Sequence, residues 1–162
     1  MLDTITGLPA HPLLAHLVAV LVPVTALLAV LGVVWPAARR RIGGASLFVA
    51  VATLAAVPLT TAAGGWLHSR VMGSQMLDQH AALGSRLVLW SALLTVAMIC
   101  WWALHTPLFA AEVGALAPAI RRVGVVVTAA ATLVFAVAST WLVVRIGHSG
   151  AQSMWGPMAC GG

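Results

Sequence analysis

The histidines of this chain are the residues best suited to bind a metal or a cofactor, and five of the six fall near the same ends of long apolar segments. These five are His11, His16, His68, His80 and His148. Threading the chain through a bilayer brings these ends to one side, whereas His105 falls on the other. Imidazole is the commonest protein ligand for metals and also binds haem iron. The clustering therefore predicts a metal or haem site near one face of a membrane.

His16 and His80 are the preferred pair of ligands. His16 lies about one turn inside the first apolar segment, where an unpartnered ionisable group is costly, and His80 precedes the third segment. If the first and third helices face each other, the two imidazoles could bind haem b from opposite sides, because bundles hold cofactors between facing helices. Arg86 could pair with a haem propionate. The alternate ligands are His11, His68 and His148.

A transition-metal ion is the alternative cofactor. Imidazole suits zinc, copper and iron, whereas thioether and thiolate sulfur favour copper(I). The C-terminal tail adds Met154, Met158 and Cys160 to the histidines as candidate ligands. Each histidine could instead form only a hydrogen bond with water, a lipid headgroup or a backbone carbonyl, so the sequence leaves a bound cofactor and a purely structural role both open.

The composition places these residues in a membrane protein. Of the 162 residues, 62% are hydrophobic and only 7% are charged, and the mean hydropathy is +1.06. Soluble domains carry about 25% charged residues, so this chain could not cover a soluble surface. Its formal charge of +5 comes from arginines scattered at segment ends rather than gathered into a patch, which argues against nucleic-acid binding.

Four apolar segments are long enough to cross a bilayer, which requires about 20 residues of helix. They cover residues 13–35, 45–66, 83–104 and 123–146. We therefore predict an all-α fold with a single domain, a four-helix transmembrane bundle. The Gly-rich tail over residues 147–162 is predicted to be loosely ordered.

The arginines predict the orientation of the bundle. The loop after the first segment carries Arg39, Arg40 and Arg41, and the connection before the fourth carries Arg121 and Arg122. Fewer arginines fall on the opposite side. Since cytoplasmic loops are enriched in arginine and lysine, both termini are predicted to lie outside. The connection over residues 105–120 is predicted to lie along the membrane surface.

A two-fold internal repeat is suggested by a few residues. His11 precedes the first segment and His80 precedes the third. The second segment ends in Trp66-Leu67-His68-Ser69, and the fourth contains Trp141-Leu142 followed by His148-Ser149. This pattern favours two helical hairpins of like orientation.

Several short motifs resemble a family of bacterial four-helix membrane proteins of unknown function. The resemblance is carried by His11-Pro12-Leu13-Leu14-Ala15-His16, by Ala62-Ala63-Gly64-Gly65-Trp66, by His80, and by Arg145-Ile146-Gly147-His148-Ser149-Gly150-Ala151. It spans nearly the whole chain and implies a multi-pass protein of the bacterial inner membrane. It brings no established activity, so it assigns no catalytic residue. The closing Gly-His-Ser-Gly-Ala differs from the more aromatic and Arg-rich closing pattern of that family.

The sequence favours a cofactor-binding module over an enzyme. It contains no Gly-rich phosphate loop, no paired intramembrane carboxylates and no serine–histidine–aspartate set. The first hypothesis is an electron-transfer or metal-handling protein that meets a redox partner. The second is a cofactor-free scaffold that binds a partner or forms a homo-oligomer through small-residue faces such as Gly124 and residues 129–131. A small permease ranks third.

Overall fold

A computed structural model describes residues 4–5, 7–71 and 73–159, with side chains as far as Ser153. A two-residue antiparallel ladder joins β1, Thr4–Ile5, to β2, Leu8–Pro9, through a turn in which Gly7 adopts a φ of 83°. The helices are α1, Ala10–Val34; α2, Pro36–His68; α3, Gln75–Ala103; α4, Ala110–Ala115; and α5, Pro118–Ala159. A 3₁₀ turn, Pro107–Phe109, precedes α4.

The prediction of an all-α fold with four membrane-spanning helices is confirmed. Helices α1, α2, α3 and α5 are each long and apolar enough to cross a bilayer. The chain is therefore a multi-pass membrane protein. Each predicted segment falls within one of these helices, except that Trp35 and Leu104 lie one residue beyond the ends of α1 and α3. The predicted segments are shorter because a hydropathy pattern marks the lipid-exposed stretch and not the helical turns that continue beyond it.

The helices differ from the prediction at two of their ends. Trp35 alone separates α1 from α2, so Arg39, Arg40 and Arg41 lie in the first turns of α2 and not in a loop; Pro36 occupies the first helical turn, where its missing N–H costs nothing. The tail was expected to be loosely ordered, but α5 continues to Ala159. Contacts of α5 with α3 extend as far as Gly150, and such packing outweighs the low helix propensity of glycine.

The four long helices form a bundle in which sequence neighbours are also spatial neighbours. Helix α1 packs against α2 and α5, and α3 packs against the same two helices, so α1 and α3 lie on one diagonal. Helices one and three therefore do not pack face to face along their length. The end of the bundle that contains His11, Gly64, His80 and Gly150 is called the histidine end below. The opposite end, with Arg39–Arg41, Arg121 and Arg122, is called the arginine end.

The inside of the bundle combines alanine, serine and threonine with some larger apolar side chains such as that of Leu94, while many large apolar side chains face outward. The buried polar residues of the described chain are all serine or threonine, and they include Thr25, Thr53, Thr132 and Ser139. Valine, leucine and phenylalanine side chains such as that of Phe48 are exposed. This distribution is expected in lipid, where apolar side chains gain nothing by leaving the solvent and small residues allow close helix contact.

The burial pattern reveals the internal repeat and fixes its register. Residue n of α1 corresponds to residue n + 69 of α3: positions 18, 22, 25, 26 and 29 are buried, and so are positions 87, 91, 94, 95 and 98. Residue n of α2 corresponds to n + 86 of α5: positions 46, 50, 53, 56 and 57 are buried, as are 132, 136, 139, 142 and 143. The α1–α2 hairpin thus matches the α3–α5 hairpin. In this register Gly64 aligns with Gly150, whereas Trp66 and Trp141 do not align with each other.

A carbonyl without its helical partner ties three helices together at the arginine end. The Gly32 carbonyl would normally accept from the amide of residue 36, but Pro36 has none. The indole Nε1–H of Trp101 donates to this carbonyl at 3.1 Å, and Nη1 of Arg39 lies 3.4 Å from it. The Arg39 guanidinium also lies 5.2 Å from the centre of the Trp101 ring. Side chains of α2 and α3 therefore satisfy the end of α1 in place of water.

The repeat predicts opposite effects for two equivalent hydroxyl groups. Thr53 and Thr25 share a buried hydrogen bond of 2.7 Å. The residues at the matching positions are Ser139 and Leu94, and the buried Ser139 hydroxyl has no partner. Thr53→Ala should lower the free energy of unfolding by about 1 kcal/mol, because the Thr25 hydroxyl loses one of its two hydrogen-bond partners and keeps only the Leu21 carbonyl. Ser139→Ala should leave it unchanged or raise it slightly. Thermal unfolding in mild detergent measures both, and an equal loss in the two variants would contradict the predicted difference.

Candidate functional site

Two imidazoles from diagonally opposite helices meet at the histidine end. His11 lies in the first turn of α1 and His80 in the second turn of α3. Their ring centroids are 6.1 Å apart and their planes are nearly perpendicular, at 86°. Both side chains are half-buried. The α1 and α3 helices do not pack along their length, so this pair bridges the diagonal of the bundle at the histidine end, as the Trp101–Gly32 hydrogen bond does at the arginine end.

The ring of His11 is fixed by α2. Its Nδ1 lies 3.0 Å from the carbonyl oxygen of Thr60. A carbonyl can only accept, so Nδ1 carries the proton and donates it. Gly64, one turn further along α2, makes room for the ring: a Cβ at this position would lie 2.9 Å from both Cε1 and Nδ1 of His11. A glycine is therefore required for the imidazole to lie against the helix backbone.

The ring of His80 is fixed in the same way by α5. Its Nδ1 lies 3.1 Å from the hydroxyl oxygen of Ser149. That hydroxyl donates its only proton to the Ile146 carbonyl at 2.9 Å, so it accepts from Nδ1–H of His80. A Cβ on Gly150 would lie 3.2 Å from Cε1 of His80. Since Gly64 and Gly150 occupy equivalent positions of the repeat, the two histidine–glycine contacts are a matched pair.

These hydrogen bonds determine the chemistry that the two rings can perform. With Nδ1 protonated in both, each neutral ring presents the lone pair of Nε2. Among the residues that the structure describes, no hydrogen bond occupies Nε2 of either ring. A histidine that binds a metal through one ring nitrogen usually donates the N–H of the other nitrogen to a carbonyl or a similar acceptor. This hydrogen bond sets the tautomer and raises the basicity of the ring. His11 and His80 have this arrangement.

The other predicted ligands lie apart from this pair. His16 is exposed, and its Nδ1 donates to the Pro12 carbonyl of its own helix at 2.6 Å. His148 is exposed on α5. Arg86 is also exposed, and it lies six residues after His80, or about 9 Å along the helix axis. The structure thus brings His80 to the alternate ligand His11 and not to His16, because a spacing of five residues turns His16 about 140° away from His11.

His68 forms a contact of its own at the same end of the bundle. Its Nε2 lies 3.0 Å from a carboxylate oxygen of Asp78, which joins the end of α2 to the first turn of α3. The carboxylate of Asp78 thus pairs with the His68 imidazole and not with the guanidinium of Arg70. The Arg70 guanidinium instead stacks on the Trp66 ring, 3.9 Å from its centre. Both contacts are exposed, so they are weak structural links between the chain segments at this end.

A metal site built from several protein side chains is not formed by the described part of the chain. Within it, no three His, Cys, Asp or Glu residues converge closely enough to hold an ion. The side chains of Met154 and Met158 and the whole of Cys160 lie outside the described residues. The described residues therefore offer two imidazole ligands at this site.

Sequence reasoning missed the residues that hold the two rings. Thr60, Gly64, Ser149 and Gly150 contact His11 and His80, but only the glycines and Ser149 appeared within motifs, without a role. The available signal was the equal placement of one glycine near the end of the second and of the fourth helix. Recognising this signal requires the correct register of the repeat. Trp66 and Trp141, the most conspicuous residues of the pattern, do not occupy equivalent positions in that register.

Comparisons of this chain with known protein families, with curated proteins and with solved structures found no match. The resemblance to a bacterial membrane-protein family therefore stays a prediction from the sequence motifs.

Alanine substitutions at two adjacent glycines should separate the role of the site from helix propensity. Gly64→Ala places a methyl group 2.9 Å from the His11 ring and should lower the free energy of unfolding by about 1–3 kcal/mol. Gly65→Ala meets nothing within 4 Å and should stabilise α2 by up to about 1 kcal/mol. Thermal unfolding measures both effects, and NMR of the His11 Nδ1–H reports displacement of the ring. Equal behaviour of the two variants would show that Gly64 does not make room for His11.

Proposed function

We propose that the histidine end binds one b-type haem between His11 and His80, and that the protein transfers electrons through it. The observation that carries this proposal is the approach of two imidazoles from diagonally opposite helices, each with Nδ1 engaged and Nε2 directed to no described partner. His11 takes the place of His16 as the partner of His80. A bound b-type haem would supply reversible one-electron chemistry at the iron.

The separation of the two rings agrees with a shared iron. A metal–nitrogen bond is about 2 Å long and the ring centre lies about 1 Å beyond the nitrogen, so two rings in line across one metal have centroids about 6 Å apart. The observed separation is 6.1 Å. Rotation of each ring about its metal–nitrogen bond leaves this distance unchanged, so perpendicular planes are compatible with shared ligation.

The surroundings of the rings also fit a two-ligand centre. The carbonyl of Thr60 and the hydroxyl of Ser149 would orient the imidazoles and strengthen their donation to a metal. Small residues occupy α2 and α5 at this level, namely Ala62, Ala63, Gly64, Gly65, Gly147 and Gly150. Of these, Gly64 and Gly150 bring the helix backbone against the two rings.

The number of ligands favours haem over a bare ion. Zinc and similar ions normally take three or four protein ligands, whereas the described site brings two together. A porphyrin supplies four nitrogen ligands of its own, so two axial histidines complete the coordination of its iron. The half-buried position at one end of the bundle would place the centre close to the aqueous face, within reach of a redox partner.

Visible absorption spectroscopy tests the proposal directly. Protein purified in mild detergent, after expression with haem supply, should show a Soret band that shifts on reduction, with about one haem per chain. His11→Ala and His80→Ala should each lose most of this haem, because one axial ligand is removed. His16→Ala and His148→Ala are matched controls that should retain it, since both side chains are exposed and lie apart from the pair.

Three outcomes would overturn the haem assignment. A folded protein that neither retains haem nor binds it on reconstitution would favour the cofactor-free scaffold. Stoichiometric copper, iron or zinc by elemental analysis without a Soret band would assign the pair to a metal ion. Loss of haem in His16→Ala with retention in His11→Ala would show that His16, and not His11, is the ligand that partners His80.

A further inference from the structure

The arginine end carries positive charge that the described chain does not neutralise. Arg39, Arg40, Arg41, Arg121 and Arg122 lie there, with Glu112 as the one acidic residue. Among the described residues, the one close contact between a basic side chain and a carboxylate is that of His68 with Asp78, at the other end. Unpaired guanidinium groups in a cluster repel one another, so this end is suited to bind an anion.

Two of these arginines line a recess between α5 and the connection that precedes it. The recess has a volume of about 330 Å³. Its walls are Gly114, Leu116, Pro118, Arg121, Arg122 and Val125. Positions 118, 121, 122 and 125 follow one face of α5, because residues three and four apart are neighbours on a helix. Arg121 and Arg122 are both exposed, so their guanidinium groups are free to turn toward a ligand.

The charge of a third arginine reaches the same region. Burial lowers the pKa of His105, and the guanidinium groups of Arg39 and Arg121 lower it further, against an opposing effect of the Trp101 carbonyl. His105 donates Nδ1–H to that carbonyl at 2.8 Å. The charges of Arg39 and Arg121 therefore both act on the His105 ring. The positive potential of the recess comes from arginines, which keep their charge at every physiological pH.

Apolar side chains surround the recess on its outer surface. Leu108, Phe109, Leu116, Ile120 and Val123 are all exposed. They belong to the connection that includes α4 and to the first turns of α5, at the boundary of a membrane-spanning helix. Two cations beside an apolar rim match an anionic headgroup with attached acyl chains better than a small soluble anion.

We propose that this recess binds the phosphate headgroup of an anionic phospholipid, with Arg121 and Arg122 as the phosphate ligands. Guanidinium groups bind phosphate oxygens through paired N–H donors. The glycerol backbone and acyl chains then run along Leu116 and Val125 toward the lipid-facing valines of α5. This site shares no residue with the histidine end, so it stands or falls independently of the haem.

Native mass spectrometry and lipid titration test the site. Protein in neutral detergent is titrated with phosphatidylglycerol and, separately, with phosphatidylcholine. We expect one phosphatidylglycerol to be retained in preference to phosphatidylcholine. The double variant Arg121→Gln/Arg122→Gln should weaken its binding at least about tenfold, since it removes the charge-assisted hydrogen bonds of both guanidinium groups to the phosphate. The charge-matched control Arg40→Gln/Arg41→Gln, which removes two exposed arginines outside the recess, should change binding less than about threefold.

The controls separate a site from general charge attraction and a lipid from free phosphate. Equal weakening in the two double variants would overturn the site, because total charge alone would then explain binding. Equal retention of phosphatidylcholine would overturn the requirement for an anionic headgroup. Inorganic phosphate that binds wild-type protein as tightly as the lipid would overturn the lipid assignment. Arg121→Lys/Arg122→Lys keeps the charge without the paired donors and should show intermediate affinity; circular dichroism verifies that each variant is folded.

Discussion

Lipid as a solvent is the constraint on which the rest of this structure depends. Apolar side chains gain nothing by moving from acyl chains into the bundle, so helices associate where small residues allow close approach and hydroxyl groups find partners. Many of the large side chains accordingly lie outside, and alanine, serine and threonine side chains lie inside beside some larger apolar ones. Most of the buried hydroxyl groups donate to a carbonyl of their own helix, so these polar side chains are satisfied within a largely apolar interior.

Backbone carbonyls at the bundle ends are the points where helices are joined to one another. At the arginine end, Pro36 has no amide N–H to donate to the Gly32 carbonyl, and the indole N–H of Trp101 of α3 donates to it. At the histidine end, the Thr60 carbonyl accepts from His11 of α1. In both places a side chain from a neighbouring helix binds to backbone, and this fixes the rotamer of an aromatic ring. The same kind of contact that joins the helices thus also orients one of the two candidate ligands, His11.

The internal repeat explains why the two histidines meet as near equivalents. His11 and His80 correspond through the spacing that matches α1 with α3, and Gly64 and Gly150 through the spacing that matches α2 with α5. The repeat is imperfect at the position of Thr25, which is occupied by Leu94 in the second hairpin. Leu94 has no hydroxyl, so Ser139, the equivalent of Thr53, is left without a partner. It is imperfect again at the position of Ala63, which is occupied by Ser149 in the second hairpin. His80 therefore binds a hydroxyl, whereas His11 binds a carbonyl. The two ends of the molecule differ in charge as well, since one presents imidazoles and the other guanidinium groups.

The sequence by itself determined the class of protein, the four spans and the end to which the histidines belong, because these follow from hydropathy and segment length, which are local properties. It did not determine which histidine meets His80. His11 and His16 are both compatible with the pattern, and the choice depends on the rotation of α1 against α2, which Gly64 sets through a contact between residues far apart in the chain. The helical extension to Ala159 was hidden for the same reason: glycine propensity is local, whereas the contact of Gly150 with His80 exists only once α3 and α5 have packed. The tertiary structure decided these points because these helices are apolar on every side, so only their packing shows which face of each helix is turned toward its neighbours and which toward lipid.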